Sequence, residues 1–175
     1  PWMGRNAVHR LAGILAVLDS YEARSPVIDG CQFREALQAV AVEGGSGGNV
    51  VPDRASITVN LRFAPDRTAD AAQSHVRELF APFLEDGDVI EVLDIADAAA
   101  PGLDHPLLAA LVERSGGEVM AKLGWTDVAR FAAHGVPAVN FGPGDSTVAH
   151  TADEYLDRAP LERVHAVLRG LLRSS

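Results

Sequence analysis

The sequence is almost without cysteine, with Cys31 the only one in 175 residues. That excludes an internal disulfide and a cage of several thiolates around a metal, and it fits a reducing compartment. Basic residues are also scarce: 15 stand against 24 acidic ones, for a formal charge of −9 and a pI near 5.0. No Lys/Arg cluster is long enough to track a phosphate backbone, so nucleic acid is not an expected partner. An acidic surface repels anions at long range, and an anionic substrate would have to be met by locally placed arginines. Long hydrophobic runs are missing too. The strongest, Leu11 to Leu18, is far short of the ~20 residues that span a bilayer, and no secretory pattern precedes it, so no membrane role and a cytoplasmic location are expected. The chain opens Pro1-Trp2-Met3-Gly4 rather than on an initiator methionine, which points to a piece of something longer.

What is present suits a globular protein: 47% of residues are apolar and 22% charged, enough for one large domain or two small ones. Val8, Leu11, Ala12, Leu15 and Leu18 fall at amphipathic-helix spacing behind Asn6 as a plausible N-cap. Leu37 to Val42 reads as a strand, broken by the glycine-rich run Gly44 to Asn49. From Ala55 to Phe63 residues alternate, with Ile57, Val59, Leu61 and Phe63 on a buried face and Ser56, Thr58, Asn60 and Arg62 on a wet one. Pro65 to Thr68 opens a second helix with Val76, Leu79, Phe80 and Phe83 in one stripe, Gly87 closes it, and Val89 to Ile95 reads as a further strand. This order is that of a ferredoxin-like βαββαβ layer whose first strand is missing and expected upstream of Pro1. Residues 1–97 form this expected domain.

Residues 98–175 begin a new pattern after a small, proline-containing crossing. Pro106 to Val119 reads as a helix, a short helix runs through Arg130 and Phe131, and Val136 to Phe141 reads as a short strand. A last helix is expected near Pro160, burying Leu161, Val164, Leu168 and Leu171. The stretch is too short for a sheet covered on both faces and reads as the end of an α/β domain.

Among six histidines, solvated or core-satisfied roles are expected for His9, His75, His105, His134 and His165. His150 differs, because it follows a strand and a Gly-Pro-Gly loop of the kind that places ligands in α/β proteins. Its imidazole could bind a metal, with Asp153 or Glu154 near enough in sequence to orient it, but no second ligand at a suitable spacing is visible. The Gly44 to Asn49 loop lacks the Lys-Ser/Thr of a P-loop. It is either a flexible hairpin tip or a backbone that approaches a ligand, with Asn49 offering an amide. Arg62 lies on the wet strand face, where arginines are commonly solubilising, and Arg130 lies beside the His150 region; both side chains suit bidentate carboxylate binding.

Five collinear segments resemble the M20 metallopeptidase family: Pro1 to His9, Gly44 to Pro52, Asn60-Leu61-Arg62-Phe63, Gly124 to Phe131, and Phe141-Gly142-Pro143-Gly144 through His150-Thr151-Ala152-Asp153-Glu154. The likeness runs along essentially the whole chain and is nearest to the actinobacterial amide hydrolases that release succinate from N-succinyl-L,L-diaminopimelate in lysine and cell-wall precursor synthesis. It implies a two-domain enzyme, with a dinuclear zinc domain interrupted by a lid through which two subunits dimerise. Residues 1–97 would be the lid, and 98–175 the closing part of the catalytic domain. By the same resemblance, His150 is the last metal ligand, Asn49 and Arg62 are lid positions that contact substrate, and Gly124, Thr126 and Arg130 belong to a substrate-binding loop. Many members carry threonine where Trp125 stands. The family's other metal ligands, general-base glutamate and oxyanion-stabilising histidine would precede Pro1, so this chain alone is expected to be inactive. The rival expectations are a different amidohydrolase of the family, such as an acetylornithine deacetylase or a carboxypeptidase, and a non-catalytic ferredoxin-like dimerisation module.

Overall fold

A computed structural model describes residues 4–122 and 124–173, and the chain divides into two units. Unit 1 holds residues up to Val27 and Gln32–Ala98; unit 2 holds Ile28–Cys31 and the residues from Ala99 onward.

In unit 1 the Asn6 side chain accepts from the His9 N–H at 3.2 Å and starts helix α1 (Ala7–Arg10). The expected single helix is broken at Leu11, after which α2 (Ala12–Asp19) carries the buried Ile14 and Leu18. Gly13 is needed here, because a Cβ at that position would lie 2.4 Å from the Phe83 ring. Two short strands, β1 (Val27–Ile28) and β2 (Cys31–Gln32), pair as a ribbon around Asp29 and Gly30, both at positive φ.

Strands β3 (Ala36–Gly44) and β4 (Ala55–Arg62) form the expected antiparallel hairpin. The register slips between Ala39 and Ala41, making Val40 the extra residue of a bulge. The bulge changes the parity of β3. Leu37 stands opposite Leu61 and Val42 opposite Ile57, so two residues of opposite parity share the face that β4 turns to the core. Helix α3 (Ala69–Phe80) begins at Thr68, whose hydroxyl accepts from the Ala71 N–H at 3.2 Å, and a 3-10 turn (Ala81–Phe83) follows it. Ile14, Leu18, Leu37 and Phe80 make the core, with Val59, Leu61, Val76, Leu79 and Phe83 among the side chains packed on it.

The strand expected from Val89 to Ile95 does not form. Ile90 packs against the core, but Val89 is 87% and Leu93 74% exposed. A strand needs a ladder partner. In a split βαβ layout a strand from elsewhere in the fold separates the third strand from the last, and no such strand is among the described residues. Among the described residues the sheets are two two-stranded antiparallel pairs, the part of the expected ferredoxin-like layer that these strands form among themselves.

Unit 2 contains α4 (Pro106–Ser115), α5 (Val128–Ala133) and α6 (Arg158–Arg173). His105 caps α4 by accepting the Leu107 N–H on its Nδ1 at 3.3 Å, with Pro106 in the first turn. The helix stops at Ser115 and not Val119, because Gly116 takes the left-handed conformation and returns its N–H to the Val112 carbonyl. Leu108 and Leu111 are buried, and α4 packs along α6. On α6 the expected stripe is only partly covered: Val164 and Leu171 are half-buried, while Leu161 and Leu168 are 49% and 40% exposed. Pro160 is the third residue of α6 rather than its first, still within the turn whose N–H groups have no helical acceptor.

Val136 to Phe141 is not a strand either. It leaves α5 through a Schellman turn, with the Gly135 N–H on the Ala132 carbonyl and the Val136 N–H on the Phe131 carbonyl. No strand lies beside it among the described residues of unit 2, so the sheet of an α/β domain is not present there.

Candidate functional site

The candidate residues divide between the units. In unit 1, Asn49 lies in the β3–β4 connection, where Gly45 has φ +87° and the Val50 N–H closes a turn onto the Gly47 carbonyl. This loop is anchored at its far side: the Ala7 N–H donates to the Pro52 carbonyl at 2.8 Å. Gly44 has a packing reason, since a Cβ there would come 2.6 Å from Val8 Cγ2. Nothing lies within 4 Å of the Cβ position at Gly48, so that part of the loop is open. Arg62 is exposed at the other end of the hairpin, opposite Ala36, while Gly44 and Ala55 pair at the loop end. Seven residue steps along β4 separate the two ends, roughly 23 Å at strand rise, so within one unit the hairpin does not bring Asn49 and Arg62 together.

In unit 2, Gly124 and Thr126 lie in the loop that leads into α5, and Arg130 lies on the first turns of that helix. The Ala129 N–H bonds the Thr126 carbonyl at 3.1 Å, and the Arg130 and Phe131 N–H groups both reach the Asp127 carbonyl. This tight first turn of α5 puts Arg130 beside the loop that precedes it. The Arg130 guanidinium carbon stands 5.4 Å from the centre of the Trp125 ring, a cation–π arrangement. Its Nε is 3.8 Å from Asp127 Oδ1, with both side chains about three-quarters exposed. Thr126 is fixed from a distance, its Oγ1 accepting from Asn140 Nδ2 at 3.1 Å. Sequence patterns do not mark Asn140, because nothing in spacing links it to Thr126.

The following loop is held by its own polar side chains. Asp145 Oδ1 accepts from the Thr147 hydroxyl at 2.7 Å and the Thr147 N–H at 2.8 Å. Those two donors, the hydroxyl first, hold the Asp145 carboxyl below the usual aspartate range. The local signal for this turn is the Asp-x-Thr spacing of an Asx-turn, which the sequence reading did not use. His150 is exposed and has φ +64°, an uncommon conformation for a residue with a Cβ. Its N–H donates to Glu154 Oε2 at 2.8 Å, and the Thr151 hydroxyl donates to the Val148 carbonyl at 2.7 Å. Glu154 thus grips the backbone of His150, not its imidazole, as the sequence spacing alone had left open.

A metal centre is a separate question. A catalytic zinc is held by several protein ligands, and no group of three or more His, Cys, Asp or Glu able to hold an ion occurs among the described residues. His150 offers one imidazole, and the residues described do not by themselves fit a zinc site. A cavity of about 360 Å³ lies elsewhere, in unit 1 at the start of α3, lined by Arg67, Thr68, Asp70 and Asp97. Asp97 already fills the acceptor role there, taking the Ala69 N–H at 2.9 Å.

Comparison with known proteins identifies the family. Residues 1–88 match the peptidase dimerisation domain, M20_dimer. Over 174 residues, 98% of this chain, the sequence is 53% identical to a protein of Mycobacterium tuberculosis (strain H37Rv) assigned by name to succinyl-diaminopimelate desuccinylase (DapE), covering 47% of it. It is 41% identical over 172 residues to the succinyl-diaminopimelate desuccinylase of Corynebacterium glutamicum, again 98% of this chain and 47% of the relative. Over 152 residues, 74% of this chain and 37% of the relative, it is 32% identical to the N-acetyl-L-citrulline deacetylase of Xanthomonas campestris pv. campestris. The chain spans about half the length, 47%, of the first two relatives. With the dimerisation domain matched over residues 1–88 and the likeness to the two desuccinylases continuing through both units, the chain belongs to the M20 peptidase family.

Proposed function

We propose that this chain is part of a zinc-dependent amidohydrolase that removes succinate from N-succinyl-L,L-diaminopimelate in the route to diaminopimelate and lysine. One observation carries the reading: the 53% identity to a protein named for that activity spans 98% of the chain, so it includes Gly124 to Arg130 and His150. Arg130 is proposed to grip a substrate carboxylate, with Gly124 and Thr126 forming the loop beside it. Asn49 and Arg62 are proposed to bind substrate from unit 1, and His150 to give one imidazole to zinc. With a single ligand and no general base assigned, the chain by itself is proposed to be inactive. Residues 1–97 would be the lid and 98–175 the closing part of the catalytic domain, with a further strand of the protein completing the ladder beside Val89 to Ile95. The protein is proposed to be cytoplasmic and to act as a homodimer through residues 1–88, a reading supported by the name of the matched domain.

The test uses the intact protein. His150→Ala should lower desuccinylation by orders of magnitude and reduce zinc content by one equivalent; unchanged zinc and rate would remove the ligand assignment. Arg130→Ala should raise KM for the succinylated substrate. The likeness to a deacetylase favours one second reading, an M20 amidohydrolase acting on another acylated amino acid. Parallel assays on succinyl-diaminopimelate, acetylornithine and acetylcitrulline separate the two.

A further inference from the structure

We propose that Trp125 is a positioning residue that holds the Arg130 guanidinium for a substrate carboxylate, an inference that rests on Arg130 being a carboxylate site. Three observations lead there. Trp125 is 55% exposed, so the largest side chain of its loop is not spent on a core. Its ring faces Arg130 Cζ at 5.4 Å. The backbone beneath both is fixed, by the bonds from Ala129 to Thr126 and Arg130 to Asp127 and by the Asn140 bond to the Thr126 hydroxyl.

An arginine exposed to this degree samples many rotamers and loses that freedom when it binds. A guanidinium held over an indole face is attracted by the ring quadrupole and keeps N–H groups directed away from the ring, free to donate to a carboxylate. Asp127 sits on the Nε side, at 3.8 Å too far for a hydrogen bond, and adds attraction without occupying the terminal Nη edge. An aliphatic side chain would supply contact but no quadrupole, and threonine would be too short to reach over the guanidinium.

Kinetics and binding on the intact protein decide it. Trp125→Ala should raise KM for the succinylated substrate about two- to fivefold with kcat held, the size of an exposed cation–π contact. It should weaken binding of the probe succinate by the same factor. Trp125→Phe, which keeps an aromatic face, should recover most of the loss. In an Arg130→Ala background the Trp125→Ala change should add nothing. If Arg130→Ala raises KM and Trp125→Ala does not, the positioning role fails alone. If Arg130→Ala has no effect on KM or succinate binding, the carboxylate site itself fails, and the inference with it. A Trp125→Ala loss that persists without Arg130, or that falls on kcat and thermal stability, would assign Trp125 a structural role and overturn the proposal.

Discussion

Unit 1 closes around Leu37, whose exposure is 1%, and draws α2, β3, β4 and α3 onto one cluster; in unit 2 the most buried side chains outside the β1–β2 ribbon are Leu108 and Leu111, at 5% and 8%, both on α4. Between α4 and α6 the only regular element described is α5. Order there comes from short-range devices: the Schellman turn at Gly135, the Thr147 bonds to Asp145, and the Glu154 grip on His150. One unit is thus organised by burial and the other by local hydrogen bonds, and the candidate carboxylate and metal positions fall mainly in the second. Loops carry binding groups where a scaffold holds them, and in unit 2 that scaffold is two packed helices.

The most direct way to break this contrast is to hollow each core. Leu37→Ala should cost about 2–5 kcal/mol, toward the upper end because its cavity is enclosed by several elements, whereas Leu111→Ala should fall near the lower end, about 2 kcal/mol. Denaturant melts give the totals, and amide exchange shows where the loss falls. Protection should drop across β3, β4 and α3 for Leu37→Ala and along α4 and α6 for Leu111→Ala. Equal losses, or loss spread over both units in either variant, would mean that the two do not differ in how they are held.

A buried charge gives the next contrast. Glu35 has a side chain at 0% exposure; its Oε1 accepts the Ala64 N–H at 3.1 Å and forms an ion pair with Arg24 Nη1 at 3.6 Å, while its Oε2 stands 3.7 Å from Arg67 Nη2. Arg24 also pairs with Asp66. Glu35→Ala leaves the Ala64 donor without its acceptor and a largely buried Arg67 without its ion-pair partner, a cost of about 1–3 kcal/mol; Glu35→Gln keeps an acceptor for Ala64 and should cost less. The ion pair of unit 2, Arg130 with Asp127, is exposed on both sides, and Asp127→Ala should change stability by only about 0–1 kcal/mol. A thermal melt of the three variants measures the contrast directly.

Much of unit 1 was readable from the sequence because its devices are local or periodic. Asn6 as a cap, the alternation from Ile57 to Leu61, the glycine break after β3 and the stripe on α3 each depend on neighbours within a few residues. What failed depended on partners far along the chain. Val89 to Ile95 and Val136 to Phe141 have strand-forming composition, but composition supplies no ladder, and neither segment has a neighbour to pair with among the described residues. The Val40 bulge and the burial of Glu35 follow from cross-strand and tertiary packing that no spacing reveals. At the candidate site, the Gly124 to Arg130 cluster was legible as a loop leading into a helix. The Trp125 cation–π contact and the Asn140 bond were not, since each is a meeting of side chains rather than a pattern.

The smallest effect distinguishes the two kinds of order most finely. Asp88 in unit 1 and Asp145 in unit 2 both titrate below the ordinary aspartate value of 3.8, for different reasons. The Arg10 guanidinium acts first on Asp88, followed by the Glu85 N–H at 2.8 Å, and the positive charges of Arg10 and Arg5 add to it. The Thr147 hydroxyl and N–H act on Asp145, and no charge contributes. Because both carboxyls are depressed in the folded protein, each contributes stability that is complete above the unfolded value near 3.8 and is withdrawn as pH falls through the lower folded value. Salt separates them. At 1 M the screening length shrinks to about 3 Å, so the Asp88 titration should move up toward its ordinary range while that of Asp145 stays where it is. Carboxyl carbon chemical shifts followed from pH 7 downward, at low and high salt, read both groups in one sample. An Asp145 titration that moves with salt as far as Asp88 would show that charge, not hydrogen bonding, orders the loop before His150.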